Sequence, residues 1–277
     1  SPGICIWNRL PPPACPTIAL THEVNSGPSV PLYRWSEAVS KGTEGGYPSD
    51  IKLIYNVGSN YLNQGSDIHA NREAFAKLHF AVCHELFLTP TARYCDIILP
   101  VTGNLERDDV IFSGLNYLFY SHKVMEPIEG VLNDFEIFSM LAERLGFQDR
   151  FTENRTAKEW LDFLLEESEI SNVEDFKRTG IYDGGDHERI GLSSFFSDPA
   201  ANPLSTPSGK IEISSTMYAK TGFPAIPKPR VFHPSQTYPL RLITPHALLR
   251  INSSNWNIEE LGNREKQELW INPEDAV

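Results

Sequence analysis

The stretch Asp96-Ile-Ile-Leu-Pro100 constrains the fold of this chain more than any other. Three consecutive large apolar residues without polar alternation need cover on both faces, as strands of parallel sheets do. Proline lacks the N–H needed to continue a ladder, so the strand ends there. The charged loop Leu105-Glu-Arg-Asp-Asp109 follows at once. Open α/β sheets place ligand sites in such loops, just beyond strand carboxyl ends. Upstream, Ile51–Asn56 and Phe80–Glu85 read as two further strands. A Gly/Asn/Ser loop (Val57–Ser66) and a helix over Asp67–Lys77, capped by Asp67 or Ser66, separate them. Strand, helix, strand, short helix, strand within about 50 residues is a parallel βαβ pattern, with a right-handed crossover expected.

Downstream the spacing predicts a helix over Leu132–Gly146, with Phe135, Phe138, Leu141 and Ala142 on one face and Gly146 closing it. Thr156–Glu167, with Thr156 as cap and Glu159 at the third position, and Val173–Arg178 read as two more. Residues 180–207 are rich in turn-formers and read as a long excursion. Ser208–Ser214 alternates like a strand, with a short helix after it. Phe223–Pro239 carries five prolines and reads as a linker. Leu240–Pro245 and Glu268–Ile271 look like strands of a second, β-rich unit. The layout expected is an irregular lead-in (1–50), an α/β segment (51–222), the linker (223–239) and the start of a β-barrel (240–277). The unfinished pattern at Trp270–Ala276 and the proline-rich opening suggest an internal piece of a longer polypeptide.

Composition removes several functions. A formal net charge of −12 opposes nucleic-acid binding, which needs a basic face. No apolar run approaches the roughly 18 residues that cross a bilayer, and the first residues do not read as a signal peptide. The four cysteines form no C-x-x-C pair, so zinc or iron–sulfur ligation within the chain is not expected. No Ser/His/Asp triad pattern, G-x-G-x-x-G or Walker loop is present, which weakens hydrolase, NAD and ATP readings.

Five blocks in order carry a resemblance. They are Tyr55-Asn-Val-Gly-Ser-Asn-Tyr-Leu-Asn-Gln-Gly-Ser-Asp67; Val82–Pro100 with its Cys-Asp-Ile-Ile-Leu-Pro ending; Leu105–Asp109; Thr206–Ser214; and Leu242–His246 with Arg250–Ser254, followed by Trp270-Ile-Asn-Pro-Glu-Asp-Ala276. Together they resemble the molybdopterin oxidoreductases of the dimethyl sulfoxide reductase family, over roughly 60% of the chain. Asn63-Gln-Gly-Ser-Asp67 is most similar to the catalytic (A) subunits of anaerobic dimethyl sulfoxide reductases.

The resemblance implies an α/β fold: a doubly wound, Rossmann-like parallel sheet segment followed by the start of a β-barrel, within a larger multidomain enzyme. It implies a bis(molybdopterin guanine dinucleotide) cofactor carrying molybdenum or tungsten. The metal ligand and any Fe–S cluster would lie in chain nearer the N-terminus. The implied partners are a small-molecule substrate, an iron–sulfur electron-transfer subunit and a membrane-anchor subunit, with the parent enzyme periplasmic or membrane-associated. The 277 residues alone are expected to be inactive, because a two-walled cleft needs both walls. The alternative is a cofactor-free structural or electron-transfer scaffold of the same family.

Carried over residue by residue, the resemblance makes Asn60, His84, Glu85, Arg107, Asp134, Thr244, His246, Arg250, Asn252 and Ser253 candidate cofactor contacts. Glu85 falls at the guanine-side acidic position, Asp134 and Arg107 at positions that touch the nucleotide, and Thr244 to Ser253 in the loop that reaches pterin and phosphate, as the resemblance implies. Each has a plainer reading. Glu85 can be a solvated strand-end charge, His84 a structural histidine and Asn60 a turn residue. Arg107 can pair with Asp108 or Asp109, Asp134 can cap its helix, and residues 244–253 can form a simple turn. Asp96 reads as structural, pairing at the sheet edge.

Overall fold

The computed structural model describes residue 15 and residues 28–112, 116–185, 191–220, 222–229, 231, 233–250, 254–266 and 268–276. They fall in two compact units, one comprising Leu10–His187 with Leu248–Val277 and the other including Glu188–Ala247.

Among the described residues, the first α-helix of the larger unit is α1 (Trp35–Lys41), and strand β1 (Leu53–Val57) follows. A one-turn helix α2 (Tyr61–Gln64) and helix α3 (Ile68–Lys77) follow, then β2 (Phe80–Glu85) and β3 (Ile97–Pro100). The three strands form a parallel sheet in the order β1-β2-β3, with Val57 opposite His84 and Glu85 opposite Pro100. Central β2 buries Ala81, Val82, Cys83 and His84 in succession, the pattern of a strand covered on both faces. Side chains alternate along a strand, so Ala81 and Cys83 face one way and Val82 and His84 the other. On the Ala81 face, Leu62 and Phe75 form a buried cluster with Trp35 and Cys95 packed against it. Trp35 meets Phe75 edge-on at 5.1 Å. Asp67 caps α3: its Oδ1 accepts from the Ala70 N–H at 3.1 Å. Asp96 is structural, its carboxylate accepting from the Ala81 N–H at 2.7 Å.

A second sheet, antiparallel and unforeseen in the sequence, follows. Strands β4 (Asp109–Phe112), β5 (Tyr117–Ser121) and β6 (Ile181–Asp183) lie in that order, with Ile111 opposite Phe119 and Leu118 opposite Tyr182. Between β5 and β6 run α4 (Asp134–Arg144), α5 (Gln148–Thr152), α6 (Ala157–Glu166) and α7 (Val173–Thr179). Leu118, Leu165, Ile170 and Phe176 form the core beneath this sheet. Thr156 and Glu159 make the expected capping box on α6.

Four readings need correction. The cap of α4 is Asn133, in a capping box with Glu136, and not Asp134, which begins the helix proper. The excursion over 180–207 contains β6 and helix α8 (Ser193–Ser197). Ser208–Ser214 is not a strand. A turn closes there instead, with the Gly209 N–H donating to the Thr206 carbonyl at 2.9 Å and Gly209 at φ +67°. Its isoleucines stay exposed, Ile213 at 85%. The short helix α9 (Thr216–Ala219) follows as read. Leu240–Pro245 and Glu268–Ile271 are not strands either. A strand exists only as part of a ladder, and no described residue pairs with them; the element between them is helix α10 (Glu259–Arg264). Among the described residues no helix is long and apolar enough to cross a membrane.

Candidate functional site

Parallel strands end on one edge, and there the larger unit gathers its polar side chains. The chain leaves β1 through Gly58, at φ +58° with open space where a Cβ would stand. Its N–H donates to the His84 carbonyl at 3.1 Å, tying this loop to β2. Asn60, 8% exposed, turns its Oδ1 toward Thr91, accepting from that residue's hydroxyl at 3.0 Å and its N–H at 3.3 Å. The Thr91 hydroxyl in turn accepts from the Leu62 N–H at 3.0 Å. One buried threonine therefore joins the loops after β1 and β2.

Glu85 ends β2. Its carboxylate accepts from the Leu86 N–H at 2.9 Å and the Thr89 hydroxyl at 3.3 Å, which shapes the turn beneath it. Four lone-pair directions leave a carboxylate room for further donors. Beyond β3, Val101 bridges Leu132, and the Thr102 N–H donates to the Leu132 carbonyl at 3.1 Å. That bridge delivers the start of α4, and with it Asp134, to the same edge. Arg107 is held by the Thr102 carbonyl and hydroxyl and by Asp109 at 3.1 Å. Both members of that ion pair are partly exposed, 32% and 41%, so the pair fixes orientation more than it adds stability.

At the centre is a chain of hydrogen bonds. His84 has no exposed surface, and its Nδ1 lies 2.7 Å from Asp134 Oδ1. Its Nε2 lies 2.7 Å from the Tyr55 hydroxyl. Burial, helped by the Asp134 charge, pushes the Tyr55 hydroxyl above the usual phenol range, so it keeps its proton and can donate. An ionised carboxylate only accepts, which assigns the proton between His84 and Asp134 to Nδ1. Nε2 is then the acceptor for Tyr55. Phe138, one turn along α4 from Asp134, packs on both rings at 5.4 and 5.0 Å. Both His84 ring nitrogens are thus used within the protein, and no ring surface is exposed. The Asp134 side chain remains 44% exposed.

The other candidates are not brought to this edge by any described contact. Thr244 and His246 lie in exposed, irregular chain of the smaller unit. Arg250 is 7% exposed, stacks over Trp256 at 4.3 Å and donates to the Glu265 carbonyl at 2.9 Å. Asn252 and Ser253 lie outside the described residues. Sequence reasoning missed Tyr55, Thr91 and Thr102. The available signal was position: Tyr55 falls two residues before the end of β1, and the two threonines fall in loops leaving β2 and β3.

Chemically, the edge offers partly exposed carboxylates, a guanidinium and a glycine-opened backbone, which suit a nucleotide-like ligand. No group of three or more potential metal ligands occurs among the described residues, and burial pushes the Cys95 thiol up to about 12.

A family model described as molybdopterin oxidoreductase matches residues 31–144, the stretch containing Asn60, His84, Glu85, Arg107 and Asp134. The chain is 31% identical over 290 residues to dimethyl sulfoxide reductase DmsA of Escherichia coli, covering 90% of this chain and 36% of that protein. It is 32% identical to a trimethylamine-N-oxide reductase of Haemophilus influenzae, with 85% of this chain and 32% of that one covered. To the dimethyl sulfoxide/trimethylamine N-oxide reductase of Rhodobacter capsulatus it is 33% identical, covering 76% and 28%. The fold is similar to that of acetylene hydratase from Pelobacter acetylenicus, with a TM-score of 0.51, 21% identity, and 72% of this chain and 25% of that chain covered. The chain spans about a third of the length of the curated relatives it matches.

Proposed function

The chain belongs to the molybdopterin oxidoreductase family, and from that premise we propose that it holds part of a bis(molybdopterin guanine dinucleotide) cofactor within the catalytic subunit of a sulfoxide- or N-oxide-reducing enzyme. One observation carries the reading: Glu85, Arg107 and Asp134 are delivered by separate elements to the carboxyl edge of one parallel sheet. The donor set fits the group. Asp134 presents a carboxylate able to accept from the N1–H and exocyclic amine of guanine, a charge-assisted pairing. Gly58 leaves room for close approach of ribose or pyrophosphate, and Arg107 supplies positive charge beyond β3.

When bound, the metal centre supplies oxygen-atom and two-electron transfer, so that a sulfoxide, two electrons and two protons become a sulfide and water. This chain's residues bind and orient. Asn60 with Thr91 fixes the loop after β1, Glu85 and Asp134 accept from the nucleotide, and Arg107 offsets its phosphate charge. By the family resemblance, Thr244, His246, Arg250, Asn252 and Ser253 are further candidate contacts to pterin and phosphate. An iron–sulfur subunit, itself carried by a membrane-anchor subunit, would supply the electrons.

The test is the full-length protein assayed with a reduced viologen as donor. Oxidation of the dye on adding dimethyl sulfoxide or trimethylamine N-oxide is expected. A protein that purifies with molybdenum yet turns over neither acceptor would refute the substrate assignment. One that purifies without metal or pterin would favour the scaffold reading.

A further inference from the structure

We propose that Tyr55 and His84 are positioning residues that set the Asp134 carboxylate for guanine, so that discrimination between purine bases depends on two side chains that never touch the ligand. The inference rests on the reading of Asp134 as a nucleotide contact. It adds the device that aims it.

Asp134 sits at the first position of α4, where a side chain has several rotamers open to it and ordinarily swings into solvent. Here one oxygen is fixed at 2.7 Å from a histidine nitrogen with no exposed surface. The imidazole cannot turn to follow the carboxylate. Its far nitrogen is bound to the Tyr55 hydroxyl at 2.7 Å, and its ring packs against both Tyr55 and Phe138, at 5.2 and 5.0 Å, in a three-ring cluster closed by the Tyr55–Phe138 contact at 5.4 Å. Tyr55 stands on β1, His84 on β2, and Asp134 and Phe138 on α4. The network therefore transmits the register of the sheet to one partly exposed carboxylate.

Its consequence is selective. A carboxylate held in the guanine plane accepts from both N1–H and the 2-amino group, whereas hypoxanthine lacks that amine. Sites built around such a pair reject the analogue missing one donor. A freely rotating carboxylate still offers charge but forfeits the planar pair. Loss of the relay should thus weaken guanine binding and leave hypoxanthine binding nearly unchanged, a split that general loosening of the fold would not produce.

The test measures GDP and IDP affinities by calorimetry on cofactor-free full-length protein and on Tyr55→Phe, His84→Gln and Asp134→Ala. The wild type should prefer GDP on the order of tenfold. Tyr55→Phe removes one hydroxyl and should cut that preference to about threefold, with IDP affinity moving less than about twofold. Nitrogen-15 NMR should find His84 in the Nδ1–H tautomer in the wild type and as a tautomer mixture in Tyr55→Phe. If Tyr55→Phe and His84→Gln keep the wild-type ratio while Asp134→Ala loses it, Asp134 is a contact and the positioning role is wrong. If the wild type shows no preference and Asp134→Ala binds like it, the nucleotide reading itself fails and takes the proposal with it.

Discussion

Full-length protein carrying Asp134→Ala should release at least about tenfold less guanine nucleotide on acid hydrolysis than the wild type, with its far-ultraviolet circular dichroism unchanged. The ligand forfeits a charge-assisted contact, of a kind worth roughly 1.5–3 kcal/mol. Separately, the fully buried His84 loses the acceptor for its Nδ1 proton, which lowers the stability of the fold by about 1–3 kcal/mol. Each 1.4 kcal/mol is about a factor of ten in affinity, so even the lower end of the first range suffices. The helix should survive, because its cap is Asn133 with Glu136 and not the altered residue. Recovery within twofold of the wild type would remove Asp134 from the site.

Leu118→Ala should give the largest loss of stability, about 3–4 kcal/mol by denaturant titration. Leu118 has no exposed surface, lies on the middle strand of the antiparallel sheet and packs into one cluster with Leu165, Ile170 and Phe176. Sheet and helices hold that space from both sides and cannot easily collapse into it. A domain typically holds only about 5–15 kcal/mol in all, so a substantial unfolded fraction is expected near physiological temperature. A change below about 1 kcal/mol would mean that this core is not packed as described. The same substitution leaves the parallel sheet's carboxyl edge intact, so protein that remains folded should retain its nucleotide.

The parallel sheet was legible because its signals are local. Phe80–Glu85 is a strand over the residues read, and Asp67 caps α3 through its own side chain. The antiparallel sheet was not, because β6 comes some 60 residues after β5 and takes three residues from what reads as loop. Pairing at that distance leaves no mark on either segment. Ser208–Ser214 shows the converse: its alternation is real, but the backbone is committed to a turn at Gly209. At the site, the family resemblance pointed to Glu85, Arg107 and Asp134, while what each touches within the protein needed the contacts. His84 reads as a candidate ligand and is instead enclosed between Tyr55 and Asp134. Residue identity names a hydrogen-bonding group, and only the fold decides whether that group faces the ligand or a neighbour.

The central claim is that this chain helps to hold a molybdopterin guanine dinucleotide. Metal and nucleotide content of the purified full-length protein tests it most directly, by elemental analysis and by chromatography of the acid-released nucleotide. The account predicts molybdenum or tungsten at about one atom per polypeptide, accompanied by about two guanine nucleotides. Protein that is folded, purified under conditions of cofactor supply, and free of both metal and guanine would contradict it.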